Sequence, residues 1–405
     1  MLRSCAAIVR TDNTAMANDL STLLARVVAV RNDPRWRAAL LRHAPGVDAS
    51  EAPRLQLEIH PGDQMLLHSL AHHRDAGAAL SQYAAVSLQQ YAAARQVLAL
   101  CARADGAPPV VLDFACGYGR LLRWLSLAQP PHTVWAADIQ ADAVAFVIDT
   151  FGVHGLLSHA DPARFVPPRQ FDCIWVASLF SHLPEALFRE WLQRLLALLT
   201  PTGVLCFSVR DAALLPKDVE LPDRGILYTT NSENADLDPA IYGTAFASEG
   251  FVRAALQDAA GALQCARLPR ALAQEQDLYL VARELNMPLA GLAAFRRGPW
   301  GWVDRRNLDL QGGLTLQGWA ASFDDGPIAR IDITVDGELY TCHSGQARAD
   351  VSAAFGDSRF GDCGFGFQLD LREGLREIWL EVSAVTDRDE RALLFAGPVA
   401  AGSAT

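Results

Sequence analysis

Hydrophobic positions change their period twice along the chain. Over residues 18–104 they recur at helical spacing. Asn18 and Asp19 are placed to cap a helix over 20–30, and the alanine-rich run 76–101 carries Leu80, Tyr83, Val86 and Leu88 near helical intervals. Over 106–284, short apolar runs alternate with helical stretches. The runs 110–114, 134–137, 156–158, 174–177, 204–209 and 278–281 predict strands, and 120–127, 141–150 and 184–199 predict helices. In the last of these Leu187, Phe188, Trp191, Leu192, Leu195 and Leu199 share one apolar face. Strands that alternate with helices imply parallel pairing, so an α/β doubly wound sheet covered on both sides is expected. The junction Phe295-Arg296-Arg297-Gly298-Pro299 is basic and turn-rich, and from Leu314 onward the period becomes two. Ile331, Ile333 and Val335 alternate with Asp332 and Thr334, and Asp336-Gly337 supplies the turn of a tight hairpin into Leu339-Tyr340. The pattern predicts an N-terminal helical region (1–104), an α/β domain (105–285), a linker (286–300) and an all-β sandwich (301–400).

Composition narrows the function classes. The chain has 405 residues, 51% hydrophobic and 20% charged, which excludes disorder as its main character. A net charge of −11 argues against a nucleic-acid backbone as the bulk partner. Of 35 basic residues, Lys217 alone is lysine. That removes the Gly-Lys-Ser/Thr phosphate loop and the Tyr-x-x-x-Lys pair of short-chain dehydrogenases, and it leaves one candidate for a Schiff base. Eight dispersed cysteines form no C-x-x-C pair and are expected as reduced thiols of a cytoplasmic protein. No apolar run reaches the ~18 residues of a membrane span. The five apolar residues between Ser4 and Arg10 are too few for a secretory signal.

The segment Val110-Val111-Leu112-Asp113-Phe114-Ala115-Cys116-Gly117-Tyr118-Gly119-Arg120 carries the chemistry. An apolar strand ends beside an acid, turns on small residues and enters a helix. Leu122 stands where a dinucleotide fingerprint needs its third glycine, so the loop is a poor pyrophosphate cradle but tolerates an adenosyl amino acid. Nineteen residues after Gly119, the strand Trp135-Ala136-Ala137 ends in Asp138, a carboxylate suited to both hydroxyls of a ribose.

Together these motifs resemble the class I S-adenosylmethionine-dependent methyltransferases of small-molecule type. Asp113-Phe114-Ala115-Cys116-Gly117-Tyr118-Gly119-Arg120 is similar to the family's first motif, D-x-G-C-G-x-G-R, with Ala115 in place of the first glycine. The resemblance covers residues 78–284 and implies a Rossmann-like seven-stranded sheet with S-adenosyl-L-methionine as cofactor. By the same resemblance the cofactor-binding residues are Tyr83, Asp113, Ala115, Cys116, Gly117, Gly119, Asp138, Ile139, Asp161, Ala177 and Ser178. Asp161 falls where the family contacts the adenine, and Tyr83 where relatives reach the cofactor's carboxylate. Segments 171–184, 199–205 and 276–281 look like the family's fourth, fifth and last strands. In the C-terminal zone, Leu316-Gln317-Gly318-Trp319-Ala320, Val335-Asp336-Gly337, Arg348-Ala349-Asp350-Val351 and Cys363-Gly364-Phe365 resemble a β-sandwich module of bacterial glycosyltransferases and polysaccharide enzymes, which implies a glycan context.

The resulting expectation is a methyltransferase acting on an oxygen or nitrogen of a small molecule or glycan, without a metal. His182, just after the fourth strand, is the candidate general base, set against a ring that merely packs or caps. Tyr228 and Tyr242 are candidates for substrate contact or packing. Cys116 is a small loop residue rather than a nucleophile. His60, His68, His72 and His73 crowd into fourteen residues, but no Glu or Cys nearby completes a ligand set, so a half-buried helix face outweighs a metal pair. Trp319 is expected in the sandwich core and Arg348 with Asp350 as an ion pair. Two rivals remain: a catalytically silent cofactor- or glycan-binding protein, and a nicotinamide-dependent sugar oxidoreductase or epimerase.

Overall fold

The computed structural model describes residues 13–402 except 102, 104, 217, 233, 235, 236, 285–291 and 293. Lys217, Cys5 and part of the expected linker lie outside the described residues. Four helices come first: α1 (Asn13–Asn32), α2 (Pro34–His43), α3 (Gln64–His73) and α4 (Ala76–Leu100). α1 begins five residues before the expected cap at Asn18. The chain then divides into two compact units, one of residues 53–64 and 89–296, the other of 1–52, 65–88 and 297–405. α4 contributes its residues up to Leu88 to the second and the remainder to the first.

The first unit is built on β1 (Val111–Phe114), α5 (Leu122–Ala128), β2 (Val134–Asp138), α6 (Ala141–Phe151), β3 (His154–Leu157), β4 (Phe171–Val176), α7 (Glu185–Ala197) and β5 (Leu199–Val209). It continues with a small hairpin of β6 (Ile226–Thr229) and β7 (Thr244–Ala247), then α8 (Glu249–Ala260), β8 (Gln264–Leu272) and β9 (Gln276–Ala282). Seven strands form one sheet in the order β3-β2-β1-β4-β5-β9-β8. Pairing from β3 through β5 is parallel, and β9 runs antiparallel to both neighbours. This is the doubly wound sheet that the alternation implied, with the seven strands that the family resemblance implied. β1 and β4 are buried along their whole length, as strands covered by helices on both faces must be. Leu187 and Leu199 need sorting: Leu187 packs against the core beside Phe188, Trp191, Leu192 and Leu195, whereas Leu199 opens β5 rather than ending the helix.

Chain order reverses between β1 and β4, whose ends lie side by side with Asp113 opposite Trp175. In open α/β sheets, ligands bind in the crevice beyond the strand ends at such a switch point.

The second unit is a sandwich with helices. Strands β10 (Trp300–Leu308), β11 (Gly313–Ala321), β12 (Ile328–Val335) and β13 (Glu338–Cys342) are followed by α9 (Ala349–Phe355), β14 (Gly364–Asp370), β15 (Glu377–Thr386) and β16 (Arg391–Ala400). They form a three-stranded sheet β10-β11-β14 and a four-stranded sheet β13-β12-β15-β16. The β12–β13 hairpin turns on Asp336 and Gly337, both at positive φ, as the Asp-Gly pair predicts. Trp319 is buried among Trp300, Val351 and Phe360, and Arg348 pairs with Asp350 at 2.7 Å and with Asp304 at 2.7 Å.

α1, α2, α3 and the first part of α4, up to Leu88, belong to this unit. His43 on α2 bonds Ser383 of β15 through Nε2 at 2.8 Å, Arg42 pairs with Glu381, and Arg35 lies over the ring of Trp379. Ser81 on α4 accepts the Ala396 N–H of β16 at 2.9 Å. α3 is tied to β10 by His73, stacked on Trp302 at 4.8 Å. No helix among the described residues is long and apolar enough to cross a membrane.

Candidate active site

Beyond β1 the chain folds back through three residues of positive φ: Ala115 at 58°, Gly117 at 52° and Gly119 at 78°. The two glycines serve different ends. A Cβ on Gly119 would stand 2.4 Å from the Phe151 ring, so glycine lets α6 pack against the loop. A Cβ on Gly117 would meet nothing within 4 Å; there glycine serves the left-handed backbone and leaves the loop face open. Ala115 holds the same backbone region with a side chain, which costs about 1–2 kcal/mol.

Asp138, at the end of β2, secures this loop. Its Oδ2 accepts the Gly117 N–H at 2.8 Å and its Oδ1 the Gln140 N–H at 3.0 Å. A carboxylate offers about four lone-pair positions, more than these backbone donors fill, so acceptor capacity remains for a ligand's hydroxyl. Burial raises the Asp138 pKa, opposed by these backbone N–H groups and that of Ile139. Asp113 is pushed up to about 8, by burial first and by the Asp138 charge second, against the pull of Arg120. No hydrogen bond is among these causes. Asp113 therefore keeps its proton at neutral pH until a cation comes beside it. Burial likewise pushes the Cys116 thiol up and keeps it protonated, which suits a loop residue and not a nucleophile.

Residues 53–64 reach the same loop. The His60 ring stacks on Tyr118 with centroids 4.4 Å apart and planes 2° from parallel, and the Tyr118 hydroxyl donates to Asp142 at 2.5 Å. His60 thus parts company with the other three clustered histidines. His68 and His72 are exposed on α3, and His73 also bonds Gln82 at 3.1 Å. Among the described residues no three His, Cys, Asp or Glu side chains converge as a metal site.

Facing this loop across the switch point is the turn after β4, where Ala177 leads to Ser178 at φ 60°. The Ser178 N–H donates to Ser208 Oγ on β5 at 2.7 Å, Ser208 donates to Gln276 Oε1 at 2.6 Å, and Gln276 Nε2 donates to Ser178 Oγ at 3.0 Å. Ser208 and Gln276 carry no local spacing signal, lying 30 and 98 residues from Ser178.

His182 is buried at the end of the turn, and its Nδ1 bonds the Gly243 carbonyl at 2.6 Å. Backbone bonds zip the turn to the β6–β7 hairpin: Gly243 N–H to the His182 carbonyl at 2.9 Å, and Ala245 N–H to the Ser181 carbonyl at 2.8 Å. Tyr242 stacks on the His182 ring at 4.6 Å. Tyr228 donates its hydroxyl to the Pro239 carbonyl at 2.6 Å, bracing the loop that carries Tyr242.

Two sequence-predicted cofactor residues, Asp161 and Tyr83, lie outside these two loops. Asp161 is exposed, and its Oδ1 caps the short helical turn 162–164 by accepting the Ala163 N–H at 2.9 Å. Tyr83 is buried on the part of α4 that belongs to the sandwich-containing unit.

Residues 111–203 match a family model described as a methyltransferase domain, and the chain carries that domain over those residues. No curated protein matches the chain. Solved structures with a similar fold include a 1,6-didemethyltoxoflavin-N1-methyltransferase from Burkholderia thailandensis, 20% identical over 62% of this chain and 90% of that one, with a TM-score of 0.35. The CcbJ methyltransferase from Streptomyces caelestis is 15% identical over 47% of this chain and 88% of that one, with a TM-score of 0.35. The glycopeptide N-methyltransferase MtfA, solved with sinefungin, is 18% identical over 48% of this chain and 94% of that one, at 0.34.

Proposed function

We propose that the domain transfers the sulfonium methyl of S-adenosyl-L-methionine to an oxygen or nitrogen of a small-molecule or glycan acceptor. The observation that carries this reading is the pair of buried acids, Asp113 and Asp138, flanking an open, left-handed glycine loop at the switch point. The donor set suits that cofactor. Asp113 is a carboxyl in want of a cation, such as an α-ammonium; Asp138 retains acceptor capacity for a ribose hydroxyl; and the Gly117 face leaves room for close approach.

When bound, the cofactor supplies an electrophilic methyl on a positively charged sulfur. The chain's own contribution is alignment and proton handling. The loop 115–119 and the turn 177–183 face one crevice, and holding nucleophile, methyl and leaving sulfur in line supplies much of the rate without a metal. The His182 Nδ1–H is given to the Gly243 carbonyl, which fixes the tautomer and leaves the lone pair on Nε2. That nitrogen can take the proton of the acceptor's hydroxyl or amine as the new bond to carbon forms.

Calorimetric titration with S-adenosylhomocysteine tests the reading. Wild-type protein should bind, and Asp138→Ala should weaken binding about tenfold or more, since each charge-assisted hydrogen bond is worth roughly 1.5–3 kcal/mol. Wild-type protein that stays unbound at millimolar ligand refutes the reading. An unchanged dissociation constant in Asp138→Ala removes that residue from the site.

A further inference from the structure

The hydrogen-bond ring beneath the β4 turn has a direction. Ser208 has one hydroxyl proton, and it goes to Gln276 Oε1, while the same oxygen accepts the Ser178 N–H. With its Oε1 accepting, the Gln276 amide must present Nε2 to Ser178, and it donates there. Ser178 Oγ is therefore an acceptor on its inner side. The Ser178 carbonyl is taken as well, by the Ser181 hydroxyl at 3.0 Å. Backbone N–H, carbonyl and one Oγ lone pair are all engaged, and only the Ser178 hydroxyl proton lacks a partner among the described residues. Ser208 and Gln276 are buried, whereas Ser178 is half-buried beyond the end of β4.

We propose that Gln276 and Ser208 are positioning residues that lock Ser178 as a hydrogen-bond donor into the crevice, toward a carboxylate of the bound ligand. This rests on the proposed function, in which the ligand's amino-acid end enters between β1 and β4. Asp113 suits the ammonium of that end, and a neutral hydroxyl donor opposite suits its carboxylate. The ring also accounts for a non-glycine residue at positive φ: Ser178 is held there by bonds from β5 and β9 rather than by local preference.

Reversing the ring is the test. Gln276→Glu keeps the shape but, when ionised, offers only acceptors, so the Ser178 proton turns inward to meet it. When protonated, the glutamic acid donates as the amide did. Binding of S-adenosylhomocysteine is measured by calorimetry for wild type, Gln276→Glu, Gln276→Leu and Ser178→Ala between pH 5 and 8. Ser178→Ala should bind about tenfold more weakly or worse at every pH. Gln276→Glu should match it at pH 8 and recover toward wild type as pH falls. Gln276→Leu should be weakened with no recovery. Wild type that binds while Gln276→Glu follows it at all pH values overturns the inference and leaves the proposed function standing. A Gln276→Glu deficit constant with pH likewise overturns it, since a merely structural role has no reason to titrate. Wild type that fails to bind refutes the proposed function itself.

Discussion

Asp113 sets stability against function, and the trade is measurable. Its pKa rises from an ordinary 3.8 to about 8 on folding. A group with a raised folded pKa binds a proton in the native state that the unfolded chain has already lost. Between about pH 4 and 8, native stability therefore falls as pH rises, by up to about 1.36 kcal/mol per pH unit from this one group. At pH 7 the ordinary value lies 3.2 units below (7 − 3.8), which gives a cost of roughly 4 kcal/mol. An asparagine in its place would be nearly isosteric and never ionises. Asp113→Asn should thus be about as stable as wild type near pH 4 and increasingly more stable toward pH 8. Urea unfolding of both proteins without ligand at four pH values isolates the effect, because every other titrating group is shared. The variant should also bind S-adenosylhomocysteine more weakly. Wild type should release up to one proton on binding at pH 7, read as a buffer-dependent calorimetric enthalpy. A stability difference that is flat with pH, or a variant less stable at pH 8, refutes the assignment of a neutral, buried Asp113.

Three further outcomes follow from the geometry. Ala115→Gly should raise the thermal midpoint modestly, because relief of about 1–2 kcal/mol of left-handed strain exceeds the ~0.4–1 kcal/mol of added unfolded-chain entropy; a lower midpoint would place the strain elsewhere. His182→Ala should lower turnover at saturating cofactor by about two orders of magnitude with cofactor affinity intact, and His182→Asn, which can still donate to the Gly243 carbonyl, should be no better; recovery of turnover in the asparagine variant would make the ring a strut and not a base. Truncation after Gly298 should yield an aggregating chain, since α2 loses the strands that cover Trp36, Leu40 and His43; a soluble, folded product of native helix content would show that α1 and α2 need no sandwich.

What can be read from the sequence is local. The strand–turn–helix from 110 to 120 and the acid ending β2 each occupy one short stretch, and each is legible with its chemistry. β8 is not. Its sequence has no clean alternation, and Pro269 within it argues against a central strand; the structure places it at the sheet edge, where a proline is tolerated and the ladder shifts between Leu268 and Leu272. The helical period predicts the N-terminal helices but says nothing of the surface that receives them. Their partners, Ser383, Glu381 and Ala396, lie more than three hundred residues away.

The same division runs through the candidate site. Its β1–β2 half, with Asp113, the glycine loop and Asp138, is held by bonds among near neighbours, so its spacing survives in the sequence. Its β4 half is assembled from distant strands: Ser208 and Gln276 fix Ser178, and Gly243 fixes His182 across 61 residues. Gly243 is the sharpest case. A Cβ there would fall 2.1 Å from the Thr229 carbonyl, so glycine alone lets the chain close beside the β6–β7 ladder and present its carbonyl to the histidine ring. On the proposed reading, the first half and Ser178 answer to a cofactor of one fixed shape, and His182 with the β6–β7 hairpin to an acceptor. The residues that set the acceptor side therefore depend on the insertion between β5 and α8, where no short motif could announce them.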